Sequence, residues 1–168
     1  MSINYDVMIA AIKGGHLEIL KWFGRRVLSL GSWAIHYAVA YDHFNVLKWL
    51  RSMGCEWGPQ TYVMAVETNK IETVKWLHEN GCQWDYRASV MASAKGYLEI
   101  LKYLYENGCP WNMWGSCVKF AVENGHLDIL RYLHENGCTL NSRSLCENAI
   151  KNEHFEILQY LYENGCPR

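Results

Sequence analysis

The chain contains seven cysteines, the side chains best suited to nucleophilic, redox or metal chemistry. Five directly follow a glycine and two do not; the first group is Cys55, Cys82, Cys109, Cys138 and Cys166, and the second is Cys117 and Cys146. Zinc sites need cysteines or histidines clustered two to four residues apart, and this chain has no such cluster. We therefore predict no metal site and interpret the repeated thiols as small buried side chains. A cysteine-dependent enzyme remains an alternative.

Histidine is the other candidate for catalysis or metal binding. Four histidines recur at one position, His16, His43, His126 and His154, and Lys70 and Tyr97 fill the same position elsewhere. A position that accepts lysine and tyrosine is structural, so we predict hydrogen bonding within a turn. No cysteine, serine or carboxylate stands at a spacing typical of a catalytic triad. We expect no catalytic residues and no cofactor.

Composition limits the classes of partner. The 168 residues are 50% hydrophobic and 20% charged, with a formal net charge of −1. This balance is typical of a globular protein with ample core material. It provides no basic patch for nucleic acid or for an anionic membrane. The chain also has no apolar run of about 18 residues and no signal-peptide pattern at its start. We expect no nucleic acid or membrane partner and an intracellular, cytoplasmic location.

The cysteines belong to a repeat that occupies almost the whole chain. Gly54, Gly81 and Gly108 are 27 residues apart, and the next two steps, to Gly137 and Gly165, are 29 and 28 residues. A fixed period of this length is the signature of a stacked array. The predicted units of this single domain are 1–28, 29–55, 56–82, 83–109, 110–138 and 139–168.

Each unit has the pattern of two helices. In the segment Ile71–Trp84, apolar residues cover a broad helical arc and charged residues a narrow opposite stripe. This long helix ends at Asn80-Gly81, because glycine adopts the left-handed conformation beyond the last turn. A shorter helix precedes each long one, with an alanine four residues before the turn; these alanines are Ala11, Ala38, Ala65, Ala92, Ala121 and Ala149. The sequence predicts an all-α protein of six helix–turn–helix repeats.

Aromatic residues form two series that follow the repeat. One occupies the sixth position of each long helix, as Trp22, Trp49, Trp76, Tyr103, Tyr132 and Tyr160, and the other lies in the loop two residues after cysteine, as Trp57, Trp84 and Trp111. Leucine takes the loop position in two other units. We therefore expect both series to pack in the core between units.

These repeats resemble the ankyrin-repeat family. The segment Ala121–Leu130, read A-V-E-N-G-H-L-D-I-L, and its counterpart Ala11–Leu20 match the ankyrin pattern of alanine, two variable residues and Gly-His-Leu-Glu-Ile-Leu. The usual Thr-Pro-Leu-His is missing, and each unit is about five residues shorter than the usual 33. The resemblance implies an ankyrin-like solenoid with short loops in place of β-hairpin fingers. The short unit is similar to those of ankyrin families expanded in large DNA viruses and protists.

The resemblance also implies a function. Ankyrin proteins bind protein partners on the concave surface lined by the short helices and the loops before them. The candidate contacts are Trp33, His36, Gln60, Arg87, Trp114 and Lys119. Such arrays serve as adaptors in the viral and protist families, which implies a viral or host-directed adaptor in the host cytoplasm. A degenerate repeat paralogue without a specific partner is the alternative.

The resemblance further implies that equivalent cysteines of neighbouring repeats lie about 10 Å apart, too far for a disulfide. Glu147 and Asn148 in the last short helix predict a polar cap of the kind that solenoids need. The first short helix, Val7–Ile12, has no such polar face. We therefore predict a monomer or weak self-association through the N-terminal repeat.

Overall fold

A computed structural model describes residues 5–110 and 114–167. Within these ranges the chain forms twelve α-helices, one 3₁₀ helix and no β-strand. The short helices are α1 (Tyr5–Lys13), α3 (Ser32–Ala40), α5 (Pro59–Glu67), α7 (Tyr86–Lys95), α9 (Trp114–Glu123) and α11 (Arg143–Lys151). The long helices are α2 (Leu17–Phe23), α4 (Phe44–Ser52), α6 (Ile71–Glu79), α8 (Leu98–Glu106), α10 (Leu127–Glu135) and α12 (Phe155–Glu163). The prediction of an all-α repeat fold is confirmed.

The chain forms two compact units, Met1–Trp84 and Asp85–Arg168. In the first unit, the helices pack in the pairs α1–α2, α3–α4 and α5–α6, and each short helix also packs on the next short helix. The second unit repeats this arrangement with α7–α8, α9–α10 and α11–α12. Each helix pair therefore buries apolar side chains both within itself and against the flank of an adjacent pair.

Helices α4, α6, α8 and α10 bury the third, fourth and seventh positions of their sequence, counted from the first residue of each helix. In α8 these positions are Ile100, Leu101 and Leu104, all at most 1% exposed. The spacing of three and four residues places them on one side of the helix. The charged positions between them face solvent.

Asn-Gly ends α6, α8, α10 and α12, as predicted. Gly108 has φ of 79°, and the backbone N–H of Cys109 donates to the Leu104 carbonyl at 2.9 Å. The asparagine has a role that the sequence did not reveal. Its side-chain amide donates to the carbonyl four residues earlier at 2.8 Å, as in Asn107 to Tyr103. Asn80, Asn136 and Asn164 make the same bond. Each of these carbonyls also accepts the backbone N–H of the same asparagine, so the side chain adds a second hydrogen bond at the end of the helix.

The turn from the short to the long helix depends on a left-handed residue, which is Gly15, Asp42, Asn69, Gly96, Gly125 or Glu153. The repeated alanine before the turn is at most 4% exposed in every unit. Its carbonyl accepts a hydrogen bond from the backbone N–H five residues on, as from His43 to Ala38 at 2.8 Å.

Three of the recurring histidines, His43, His126 and His154, contact the preceding repeat. Their role is structural, as predicted, but their hydrogen bonds join two repeats and do not lie within one turn. Nε2 of His43 lies 2.7 Å from the Lys13 carbonyl oxygen, and its ring lies so close to Gly15 that an added Cβ would be 2.6 Å from Nδ1. His126 and His154 make equivalent contacts with Ala94 and Glu123.

Where lysine replaces histidine, the partner changes with it. Lys70 pairs with Asp42, the left-handed residue of the preceding turn, at 2.9 Å. The residue at this position is therefore matched to the turn on which it packs.

The first repeat departs from the others. Helix α2 ends at Phe23, and Gly24–Leu30 forms a 3₁₀ helix in place of the Asn-Gly turn. Val27 and Leu30 from this segment are buried, at 0% and 8% exposed. The altered sequence therefore still contributes to the core.

The expectation that both aromatic series lie in the core is wrong, because every described member is at least partly exposed. Trp57 and Trp84 are half-buried rather than in the core. The ring of Trp57 packs edge-on against half-buried Trp76, and that of Trp84 packs edge-on against buried Tyr62. Trp22 is 71% exposed, since no repeat packs over its ring among the described residues. Trp111 lies outside the described residues.

The expected polar cap in the last repeat is incomplete. Glu147 is exposed, and Asn148 is half-buried and donates to Glu123 at 3.3 Å. Ile150 and Phe155, however, are 52% and 69% exposed beside them. This flank therefore combines polar and apolar side chains.

The matched glycines Gly125 and Gly108 test the contact between turn and histidine. Both have φ of 79°, but an added Cβ meets His154 at 2.9 Å in Gly125 and nothing within 4 Å in Gly108. We expect Gly108→Ala to lower the free energy of unfolding by about 1 kcal/mol, for the left-handed backbone alone. Gly125→Ala should cost about 1 kcal/mol more, because the ring must leave its carbonyl partner. Urea denaturation measures both. Equal losses would show that the histidine contact contributes nothing.

Candidate functional site

The first unit exposes several aromatic rings on its short helices. Trp33 in α3 is 63% exposed, and its ring packs edge-on against His36, with centroids 5.7 Å apart. It also lies 6.2 Å from the ring of Tyr37. Burial lowers the pKa of His36, so the neutral imidazole is favoured beside the indole. The indole is thus supported by two rings while most of its surface faces solvent.

A cavity of about 300 Å³ lies next to Trp33. It is lined by Tyr5, Ile9, Ser29, Leu30, Trp33 and Tyr37. We call this site the aromatic groove. Its walls are mainly apolar, and its volume is at the lower end of the range for side-chain or small-ligand pockets.

A cation lies beside the aromatic groove. The ammonium group of Lys13 is 4.8 Å from the ring centroid of Tyr37 and 5.6 Å from that of Tyr41. Such cation–π contacts stabilise an aromatic ring in one position. Lys13 therefore contacts both Tyr37, which lines the aromatic groove, and Tyr41, which lies in the turn after α3.

A second depression of about 450 Å³ follows on α3 and α5. It is lined by Ala40, Tyr41, Asp42, Met64, Glu67, Thr68 and Lys70. Since the Asp42–Lys70 ion pair lies in its wall, the depression is more polar than the aromatic groove. Gln60, another predicted contact, is exposed on α5.

The predicted contacts in the second unit are engaged in local pairs. Arg87 binds the carboxylate of Asp85, with Nη2 and Oδ2 2.7 Å apart. The hydrogen bond from Arg87 holds the pKa of Asp85 below its usual range, and this carboxylate caps α7. Lys119 lies 3.7 Å from Glu123 on the same helix. Trp114 begins α9, but its side chain lies outside the described part of the structure.

Sequence reasoning missed most of the aromatic groove. It selected Trp33 and His36, but not Tyr5, Ile9 or Tyr37. The available signal was the size of the side chain. Tyr41, for example, stands in the turn where other units have glycine, threonine, lysine or asparagine. A large ring at a variable surface position indicates a role other than stabilising the repeat fold.

The repeated cysteines are buried beneath the starts of the short helices. Cys82 Sγ lies 3.8 Å from the Gly58 carbonyl and Cys109 Sγ lies 3.5 Å from that of Asp85, so each thiol donates a weak hydrogen bond. Burial raises the pKa of Cys82, Cys109 and Cys138 to about 12. Burial also raises the pKa of Cys55 and Cys117. A thiol with so high a pKa is almost wholly protonated near neutral pH and is a poor nucleophile.

Cys166 departs from the expected series of free thiols. Its sulfur is bonded to that of Cys146, with the two Cα atoms 6.9 Å apart. The expectation concerned equivalent cysteines in neighbouring repeats, whereas Cys146 belongs to the short helix of the same repeat. The other five cysteines are free and buried.

The described residues contain no other reactive centre. No group of three or more His, Cys, Asp or Glu side chains in 5–110 and 114–167 is arranged to hold a metal ion. In the same ranges, no helix has both the length and the apolar character needed to cross a membrane.

Comparison with known proteins accounts for this architecture. A family model described as ankyrin repeats (three copies) matches residues 35–114, 62–144 and 90–167. The chain belongs to the ankyrin-repeat family. Among solved structures, the human ASB11 ankyrin repeat domain superimposes with a TM-score of 0.78 over 95% of this chain and 84% of that chain, at 18% identity. At this identity the likeness shows the fold alone. No curated protein matches the sequence significantly.

Membership gives the general function. Ankyrin repeats are generally protein-interaction modules and typically non-enzymatic scaffolds. Aromatic rings on the short helices and buried thiols agree with that role. The likeness of the short ankyrin unit to viral and protist families, and the boundaries of the six repeats, stay predictions.

Thiol reactivity separates an ankyrin scaffold from a cysteine-dependent enzyme. Because all five free thiols are buried, we expect none to react quickly with a disulfide reagent near neutral pH. All five should react once the chain is unfolded in denaturant, which serves as the internal control. One thiol that reacts far faster than the rest in the native protein would favour the enzyme.

The raised thiol pKa values predict a loss of stability in alkali. A free cysteine has a pKa of about 8.5, so the unfolded chain releases thiol protons above that pH. The folded chain keeps those of Cys82, Cys109 and Cys138 up to about pH 12. The folded state then binds more protons, and the free energy of unfolding falls as pH rises above about 8.5.

Denaturant titrations between neutral and alkaline pH measure this loss. The control is a variant with Cys82, Cys109 and Cys138 all replaced by alanine, in which tyrosines and lysines titrate as before. Its unfolding free energy should fall less steeply with pH. Identical slopes would contradict the assignment.

Proposed function

We propose that this chain is a non-enzymatic adaptor that binds a segment of another protein on its short helices, with the aromatic groove as the main contact. The observation that supports this most directly is the exposure of Trp33 at the edge of that groove. Its ring is 63% exposed, although tryptophan is usually well buried.

The chemistry of the aromatic groove suits a protein partner. Trp and Tyr are enriched at the energetic centres of interfaces, because they bury a large area at a low cost in side-chain entropy. Here Tyr5 is 47% exposed and Tyr41 is 49% exposed, on the same unit as Trp33. Contacts with His36 and Lys13 hold the neighbouring rings in place before binding. A preformed surface loses little entropy on association.

The chemistry of the partner follows from the two depressions. The aromatic groove suits an apolar or aromatic side chain, since its walls are mainly Tyr, Ile, Leu and Trp. The depression beside it is lined by Asp42, Glu67 and Lys70 and therefore suits polar or charged neighbours of that side chain. A short partner segment with an apolar anchor and polar flanks fits both.

The other predicted contacts have a smaller part in this proposal. His36 supports Trp33, and Gln60 is an exposed polar residue on the same unit. Arg87 and Lys119 would have to leave Asp85 and Glu123 before they could bind a partner. Trp114 stays a candidate from the sequence alone.

Substitution of Trp33 tests the proposal. We expect Trp33→Ala to weaken binding of the partner by about 30-fold, because loss of a central aromatic contact costs about 2 kcal/mol. The partner is first identified by crosslinking and affinity purification with the wild-type chain from its native cell, and binding is then measured by calorimetry with the purified partner. Since Trp33 is largely exposed, the variant should keep the melting temperature of the wild type.

The matched control is Tyr86→Ala, which removes a ring that is 39% exposed on α7, outside the aromatic groove. This variant should bind as the wild type does. Equal binding by Trp33→Ala and wild type would exclude the aromatic groove as the contact. Failure of the native cell to yield any reproducible partner would favour the degenerate paralogue instead.

A further inference from the structure

Within each unit, consecutive long helices contact each other through an aromatic side chain. The sixth residue of one long helix is aromatic and packs against the first, fifth or eighth residue of the preceding long helix. Phe44, the first residue of α4, lies edge-on to Trp76 in α6 with centroids 5.7 Å apart. Tyr105 and Tyr132 make a similar contact at 6.0 Å.

The contact can include a hydrogen bond and a cation. Nδ1 of His134 lies 2.9 Å from the hydroxyl of Tyr160, and the guanidinium of Arg131 lies 5.2 Å from the centre of the same ring. Three separate pairs of repeats therefore use one arrangement, in which an aromatic side chain enters a shallow groove on the preceding long helix.

One flank of the first unit exposes the side of this contact that carries the sixth-position aromatic ring. We call it the α2 face, defined by Val7, His16, Ile19 and Trp22. Trp22 is the sixth residue of α2 and is 71% exposed. Ile19, the third residue, is 46% exposed, whereas its equivalents Val46, Thr73, Ile100, Ile129 and Ile157 are all buried. Val7 is 43% exposed, whereas the equivalent residues of the other five short helices are buried.

One flank of the second unit exposes the opposite side of this contact, which carries the first, fifth and eighth residues of a long helix. We call it the α12 face, defined by Ile150, Glu153, Phe155 and Leu158. Phe155 is the equivalent of Phe44 and is 69% exposed, and Ile150 is 52% exposed. Leu158 is partly exposed, although its equivalents Leu20, Leu47, Val74, Leu101 and Leu130 are fully buried.

The α12 face includes a groove at the position that receives an aromatic ring elsewhere. A cavity of about 390 Å³ is lined by Phe155, Leu158, Gln159, Tyr162 and Glu163. Phe155, Gln159 and Tyr162 are the first, fifth and eighth residues of α12. They correspond to Phe44, Arg131 and His134, which contact the sixth-position rings of Trp76 and Tyr160.

The charged residues on the two faces are complementary. Within the first unit, Asp42 in the left-handed turn position pairs with Lys70 of the next repeat at 2.9 Å. The same two positions on the α12 and α2 faces hold Glu153 and His16, and both are exposed. Glu153 has φ of 59°, close to the 58° of Asp42. A carboxylate would therefore meet an imidazole, which it would attract when the ring is protonated.

We propose that the α12 face of one copy of this chain binds the α2 face of a second copy in the register of consecutive repeats. Trp22 of one copy then occupies the groove lined by Phe155, Gln159 and Tyr162 of the other. Glu153 lies against His16, as Asp42 lies against Lys70. The contact joins two different faces, so each copy keeps one face available and the association can extend beyond a dimer.

Two single substitutions and their mixture test this contact. Trp22→Glu blocks the α2 face and Phe155→Glu blocks the α12 face, and both side chains are largely exposed, so folding should be preserved. Circular dichroism and the melting temperature verify this. In sedimentation velocity, the mean mass of the wild type should rise between low and high micromolar concentration. Each variant alone should remain monomeric, because its Kd rises at least about tenfold.

The mixture distinguishes this contact from a symmetric dimer. An equimolar mixture of Trp22→Glu and Phe155→Glu should form a dimer that does not grow further, since one intact α12 face meets one intact α2 face. Tyr86→Glu, with an exposed ring on neither face, should associate as the wild type does. A wild type that stays monomeric at high micromolar concentration would overturn the proposal and leave the faces to a different partner. So would a mixture that does not pair, or a variant that associates normally by itself.

Discussion

A helix pair of this length has too little apolar surface to fold by itself, and each pair therefore depends on the flank of another. This lateral burial determines most of what the sequence repeats. The long helices contribute aliphatic residues at the third, fourth and seventh positions, and the short helices contribute an alanine that allows close approach. The Gly-Cys side chains are buried beneath the start of the short helix of their own repeat, where the thiols of Cys82 and Cys109 donate weak hydrogen bonds to carbonyl groups. Residues that serve this packing recur in nearly every unit.

The same constraint explains why most of the fold could be predicted from sequence. A helix period, an Asn-Gly end and a repeated alanine are local features, and each specifies a local structure. The structural role of the histidines was also predictable, because a position that accepts Lys70 is more typical of a structural than of a catalytic residue. The role of Asn107 was hidden, since the bond of its side chain to Tyr103 depends on how the last helical turn ends.

The features that the sequence did not predict depend on whether another helix packs on a given residue. Trp22 and Trp76 occupy one repeat position, yet the first is 71% exposed and the second is half-buried beside Phe44. Sequence position alone assigns both to the core. Most of the aromatic groove was missed for a similar reason: Tyr5 and Tyr37 become part of one site only when α1 and α3 pack side by side. The Cys146–Cys166 bond was missed because the expected distance concerned equivalent cysteines of neighbouring repeats, whereas these two cysteines occupy different positions of one repeat.

The matched turns have a consequence for how such an array can evolve. Gly125 leaves room for an imidazole, whereas Asp42 offers a carboxylate to an ammonium group. A duplicated module can therefore be inserted without strain only where its leading side chain suits the turn already present. A histidine module placed after a left-handed residue other than glycine must exchange its packing on glycine for another contact, such as the one proposed between His16 and Glu153, and a lysine module placed after glycine loses its ion pair. The left-handed residue of each turn therefore restricts which repeat can follow it. A change in the order of the repeats requires compensating substitutions in the turn and in the leading side chain at each new junction.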